Sequence, residues 1–240
     1  MVRSCCLDVY DCIICSKLLP TETIQDLRDC FMKFYTSVGP NPRVVKMFAA
    51  ERGIELPSET VDLRGGDNRK PPYTNVNAVG QMPALELDSG DIITEITAIC
   101  EYLDETQPGI SLIGSTAEER SQTRRWLRWA DLNICEPLGY GFRFAEGLPL
   151  FKERIRCLPE AADGFKAIAQ DNIVFLDGKL ADNEYLTGDK VTLADIHLFC
   201  FMDFGRNRGQ PLNDAYTNVG RWIAAMEARP SAAASALDAS

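Results

Sequence analysis

The sequence predicts a small α/β domain followed by an all-helical one. Three observations predict it. Residues 32–106 alternate short strand-like runs with helix-like runs, "QPGISLIGST" then breaks the pattern with proline and glycine, and every periodic stretch beyond it is helical. The domains are therefore expected at 32–106 and 116–240, joined by a linker at 107–115.

Taken in order, "MKFYTS" is a short strand and "GPNP" punctuates it. "PRVVKMFAAERGI" reads as a helix, with Asn41 as N-cap, Pro42 in the first turn and Gly53 as the stop. "ELPSETVDL" supplies a second strand, which Pro57 assigns to an edge or a strand start. "RGGDNRKPPYTNVNAVG" is polar and loop-rich, with room for one short helical turn. "PALELD" and "DIIT", divided by "SG", form an antiparallel hairpin. "EITAICEYLDET" then carries Ile96, Ile99, Cys100 and Leu103 at helical spacing, so the order is β-α-β-(α)-β-β-α. Past the linker, Thr116 with Glu118 and Glu119 makes a cap and an acidic first turn. Further helices are expected near 150–157, 160–182, 192–204 and 216–228.

A formal net charge of −10 argues against nucleic acid and anionic membrane as partners, both of which demand a basic face. No run approaches the roughly 20 apolar residues of a membrane helix. His197 is the single histidine, which excludes Ser-His-Asp or Cys-His catalysis unless it serves itself, and no metal is expected. Cys100, Cys135, Cys157 and Cys200 sit among apolar residues and read as free thiols of a reducing, cytoplasmic compartment. Five more cysteines crowd residues 1–31, where "CIIC" has redox spacing but no βαβ surroundings. That segment is no convincing signal peptide and reads as an appended extension, with Met32 opening the folded unit.

The element order, with a proline opening the third strand in "GQMPALEL" and the acid Glu95 opening the next helix, resembles the glutathione S-transferase family, in particular bacterial-type cytosolic members with "PN" after the first strand. "YLTGDKVTLADIHLF" strengthens the resemblance: Gly188 precedes a Thr192–Asp195 capping pair, as in the late helix of that family. It implies a thioredoxin-like N-terminal domain, a cis Met82–Pro83 bond, and glutathione held by the Met82 backbone. Gln81 is expected beside the ligand, with Arg69 and Lys70 as loop cations within reach of its glycyl end. Glu95, Ile96 and Thr97 would hold the γ-glutamyl end, since a zwitterionic head needs an acid and free helix N–H groups together. The plainer reading of Glu95 is a first-turn acid favoured by the helix dipole. Ile96 departs from the serine usual in the family, leaving its N–H but no hydroxyl, which Thr97 would have to supply.

The chemistry implied is activation of the glutathione thiol by a hydrogen-bond donor just after the first strand. Ser37 and Asn41 stand as equal candidates, and no cysteine lies there. The electrophile pocket is expected from Trp129 and the glycine-punctuated loop of Tyr140, Phe142 and Phe144, with Trp126 in the core. The resemblance thus implies a transferase conjugating glutathione to a small hydrophobic electrophile, in a two-fold homodimer. The alternatives are a noncatalytic binding or scaffold protein of the same fold, or a glutathione-dependent lyase, isomerase or dehalogenase.

Overall fold

The computed structural model describes residues 32–236. The readings of residues 1–31 lie outside them.

Strand β1 (Lys33–Thr36) leads into helix α1 (Pro40–Arg52), which returns to β2 (Ser58–Thr60). A 3-10 turn (Asp67–Arg69) and the short α2 (Tyr73–Val76) precede the hairpin β3 (Ala84–Glu86) and β4 (Ile92–Thr94), and α3 (Ile96–Thr106) closes the unit. The polar loop thus holds two short helical turns rather than one. The sheet order is β2-β1-β3-β4, with β1 parallel to β2 and antiparallel to β3, itself antiparallel to β4. This is a thioredoxin-like arrangement. Alternation along β1 and β3 sends Phe34 and Leu85 to the core under α1 and α3, and Tyr35 and Ala84 to a second cluster with Tyr73 and Met82.

One expectation about α1 needs correction, and another is met. The helix begins at Pro40, not after Asn41: Gly39, at φ 122°, is its N-cap, and no side chain caps it. Glycine is needed there because an L side chain rarely adopts that φ. At the other end Gly53 takes the left-handed conformation, and its N–H reaches the carbonyls of Ala49 and Ala50.

The helical half comprises α4 (Ala117–Ala130), α5 (Glu136–Phe144), α6 (Leu148–Phe151), α7 (Ala162–Leu180), α8 (Leu193–Arg206), α9 (Thr217–Glu227) and α10 (Pro230–Ala234). Thr116 caps α4 in a reciprocal pair with Glu119. A π-helical segment, Asp131–Cys135, joins α4 to α5 without a break. Pro137 explains it: its ring would strike the carbonyl one turn back in an α-helix, and the wider turn makes room. "GYGFRF" is therefore helix, not the loop expected, and near 150–157 helix is confined to Leu148–Phe151. Every residue of α8 from Leu193 to Met202 is buried, so this helix is the axle of the domain.

Ion pairs from α1 fasten the two halves. Arg43 pairs with Asp203 of α8, and Glu51 with Arg229 and Ser231 beside α10. Within the N-terminal half, the buried Arg52 side chain binds Asp104 at 2.9 Å and the carbonyls of Leu103 and Gln107 at the end of α3. Burial pushes the carboxyls of Asp203 and Glu51 up, but hydrogen bonds from Arg43 and Arg206 to the first, and from Arg229 and Ser231 to the second, leave both below their ordinary values. Lowered carboxyl pKa values mean that the folded chain binds fewer protons than the unfolded one. This stabilisation is full above about pH 5 and is lost as pH falls through the unfolded values near pH 4 and then the folded ones. Thermal melts between pH 6 and pH 3 should show the midpoint falling, and Asp203→Asn should flatten the slope. An unchanged slope would assign the acid sensitivity elsewhere.

Candidate functional site

The loop after β1 gathers polar groups that nothing in the fold uses. Thr36 Oγ1 and Asn41 Oδ1 are buried without hydrogen-bond partners, and the hydroxyl of buried Ser37 bonds to no described group. Asn41 does not cap α1, so its amide is unspent at the positive end of a thirteen-residue helix. Pro40 and Pro42 remove two of the N–H groups that the first turn would offer, which leaves side-chain donors more to do. Tyr35 points elsewhere: its hydroxyl donates to Glu86 at 2.7 Å and its ring meets Tyr73.

The Met82–Pro83 peptide bond is cis, as the resemblance implied, and Pro71–Pro72 is cis as well. The approach to Met82 is fixed by side chains. Asn68 donates to the Gly80 carbonyl at 2.6 Å, while Tyr73 and Asn77 donate to the Gln81 carbonyl at 2.5 and 2.9 Å. The Met82 backbone has no partner of its own among the described residues. Gln81 is exposed. The loop cations are engaged already, Arg69 with the Val79 carbonyl and Lys70 with Asp67.

Glu95 stands at the N-cap of α3 with φ 72°, the single positive φ outside glycine among the described residues. Its side chain is exposed and makes no cap. Its carbonyl accepts from Ile99, so the N–H groups of Ile96 and Thr97 remain open at the helix start. Ile96 turns partly onto the main core, and Thr97 is half-exposed. The serine usual at the Ile96 position has been exchanged for packing.

The four aromatic pocket candidates are not brought together. Trp129 packs on Trp126 and Phe175, roughly 20 Å along the helix from Phe142 at 1.5 Å per residue. Trp126 is core, as expected. Tyr140 and Phe144 stack on Phe165, and Phe144 is buried. Phe142 meets Phe151 and Phe204. Phe204 follows Asp203, the partner of Arg43, and Arg154 donates to the carbonyls of Leu63 and Arg64 at 2.6 and 3.0 Å. Phe142 and Phe151 thus belong to the side of the helical half that closes over the β1 and β2 exits. Phe151, Arg154 and Phe204 were missed in the sequence, where nothing distinguishes them from other surface and core positions. An open groove of about 1120 Å³ bordered by Lys33, Tyr35, Glu59 and Glu86 contains none of the thiol-loop residues. His197 lies buried on α8, its Nε2 3.3 Å from Asp131. No group of three metal-ligating side chains forms among the described residues.

A thioredoxin-like sheet with a cis-proline before β3, joined to a bundle around a buried capped helix, defines a two-domain class of protein. The chain belongs to the glutathione S-transferase family, whose substrate is glutathione: residues 38–106 match its N-terminal domain and 169–230 its C-terminal domain. It is similar to Glutathione S-transferase F10 of Arabidopsis thaliana, 32% identical over 64% of this chain and 71% of that one. A glutathione S-transferase domain-containing protein of Marinobacter aquaeolei VT8 superposes with a TM-score of 0.78 at 31% identity, covering 83% of this chain and 98% of the other. Gtt2 of Saccharomyces cerevisiae gives 0.79 at 26% identity, covering 85% and 100%.

Proposed function

We propose that the chain is a glutathione transferase joining the glutathione thiol to a small hydrophobic electrophile. The observation that carries this reading is Glu95. A non-glycine residue at positive φ costs about 1–3 kcal/mol and persists where function over-determines it. Here the strain sets a free carboxylate beside two open helix N–H groups, the pairing that suits an ammonium and a carboxylate on one ligand. The unpartnered Met82 backbone suits the cysteinyl portion, and the thiol then falls to Asn41, with Ser37 second. Phe142 and Phe151 suit an aromatic electrophile above it.

Glu95→Ala is expected to weaken glutathione binding by about 2 kcal/mol, near thirtyfold, on calorimetric titration. Ile96→Ser should leave affinity equal or better. Unchanged affinity in Glu95→Ala would move the ligand elsewhere. Retention on glutathione resin together with turnover of an aryl halide tests the function itself; retention without turnover would make this a binding protein.

Two exposed apolar features support a two-fold dimer of α/β half against helical half. Val79, 64% exposed, projects before the clamp, and Phe175, 55% exposed, crowns the Trp129 cluster. Light scattering at micromolar concentration should give twice the chain mass, and Phe175→Glu should return the monomer. No described helix is long and apolar enough to cross a membrane.

A further inference from the structure

Arg143 is a cation without a paired counter-charge among the described residues. Its half-buried guanidinium lies 5.4 Å from the centre of the Tyr140 ring and 6.0 Å from that of Phe151, and it makes no ion pair or hydrogen bond among the described residues. It folds back over Gly139, 3.7 Å from where a β-carbon would stand, so its own helix sets no side chain over it there. Phe151 also meets Phe142, and the same turn carries Arg154, whose bonds to Leu63 and Arg64 hold it over the exit of β2. Arg143 therefore belongs to the side of the helical half that lies over the exit of β2, where the Val61 N–H donates to the Thr36 carbonyl beside the thiol loop.

The surrounding charge is mixed in sign. Lys152 and Arg156 are exposed on this segment and unpaired among the described residues, and its acid Glu146 is taken by Lys166 at 2.5 Å. The acids Glu136, on the same helix, Glu153, and Glu160, on the turn packed against it, make no ion pair with Arg143. On a chain of net charge −10, an unpaired guanidinium here is a local point of attraction for an anion. A planar guanidinium held between rings presents its free edge to a carboxylate in bidentate fashion, while the rings accept an aromatic body.

We propose that Arg143 selects electrophiles that combine an aromatic ring with a carboxylate; the inference rests on the transferase reading given above. Such a substrate stacks on Tyr140 and Phe151, and its anionic end turns to Arg143.

Calorimetric titration with three probes tests it: glutathione, S-benzylglutathione and S-(4-carboxybenzyl)glutathione. The natural chain should bind the carboxylated conjugate at least tenfold tighter than the neutral one. Arg143→Gln should abolish that preference while leaving glutathione and S-benzylglutathione unchanged, and Arg143→Lys should keep part of it. Thermal melts of each variant confirm that the fold is intact. Equal affinity of the natural chain for both conjugates overturns the proposal and leaves the transferase reading standing. So does an equal loss of plain glutathione binding in Arg143→Gln, which would assign the cation to the glycyl carboxylate instead. Failure of the natural chain to bind glutathione at all overturns both.

Discussion

Asp195→Ala is expected to remove about 3–5 kcal/mol of stability, a large part of what a domain of ordinary stability possesses. Asp195 is wholly buried at the start of α8 and serves as acceptor for three separate elements. The N–H and hydroxyl of Thr192 donate to it at 3.0 and 3.1 Å, the Leu186 N–H at 2.9 Å, and the Trp222 indole at 3.1 Å. An alanine would leave these donors buried and unpaired, and each such group costs about 1–3 kcal/mol. Urea unfolding should show a much lower midpoint with little change of slope. A loss under about 1 kcal/mol would mean that water or a shifted helix satisfies the donors.

The second large effect concerns chemistry. Asn41→Ala is expected to lower conjugation at neutral pH by tenfold or more, because one hydrogen bond to an anionic sulfur is worth about 1.5–3 kcal/mol. Glutathione affinity should change little, since the Met82 and Glu95 contacts remain. The pH profile should move to higher pH as the bound thiol loses its stabilising donor. Stability should hold, because Asn41 caps nothing in α1. Ser37→Ala should give a smaller loss. If both variants keep full turnover and the original profile, Thr36 or a backbone N–H activates the thiol.

The sheet, the hairpin and the α8 cap were legible because each rests on local chemistry: strand alternation, a glycine turn, and a Thr-Asp spacing. What misled was glycine chosen for packing. In α5 a β-carbon on Gly141 would stand 2.7 Å from the Lys166 side chain and 3.1 Å from Gln210 Oε1. That glycine records a close approach of α7, not a loop, and a single sequence cannot tell the two apart. The Asn41 error has a similar origin. "GPNP" contains two prolines that suit a first turn, and the φ of Gly39 decides for the earlier one. For the candidate site, the cis Met82–Pro83 bond and the place of Glu95 at a helix start were legible through the strand–proline and strand–acid junctions. Arg143, Phe151 and Arg154 meet through folding of the helical half, and their separation along the chain carries no signal.

The charged residues of α1 bear on how the chain comes apart. Arg43, Glu51 and Arg52 reach α8, the α10 junction and α3 from a single helix. The linker at 107–115, with Ile110 86% exposed, is the obvious point for a protease to cut. Yet severing it leaves the Arg43 and Glu51 tethers to the helical half in place, so a nicked molecule is expected to hold together as a non-covalent pair of fragments. A single calorimetric transition is the expected result for the whole chain, because unfolding either half strips Arg43 and Glu51 or their partners of a charge-paired neighbour.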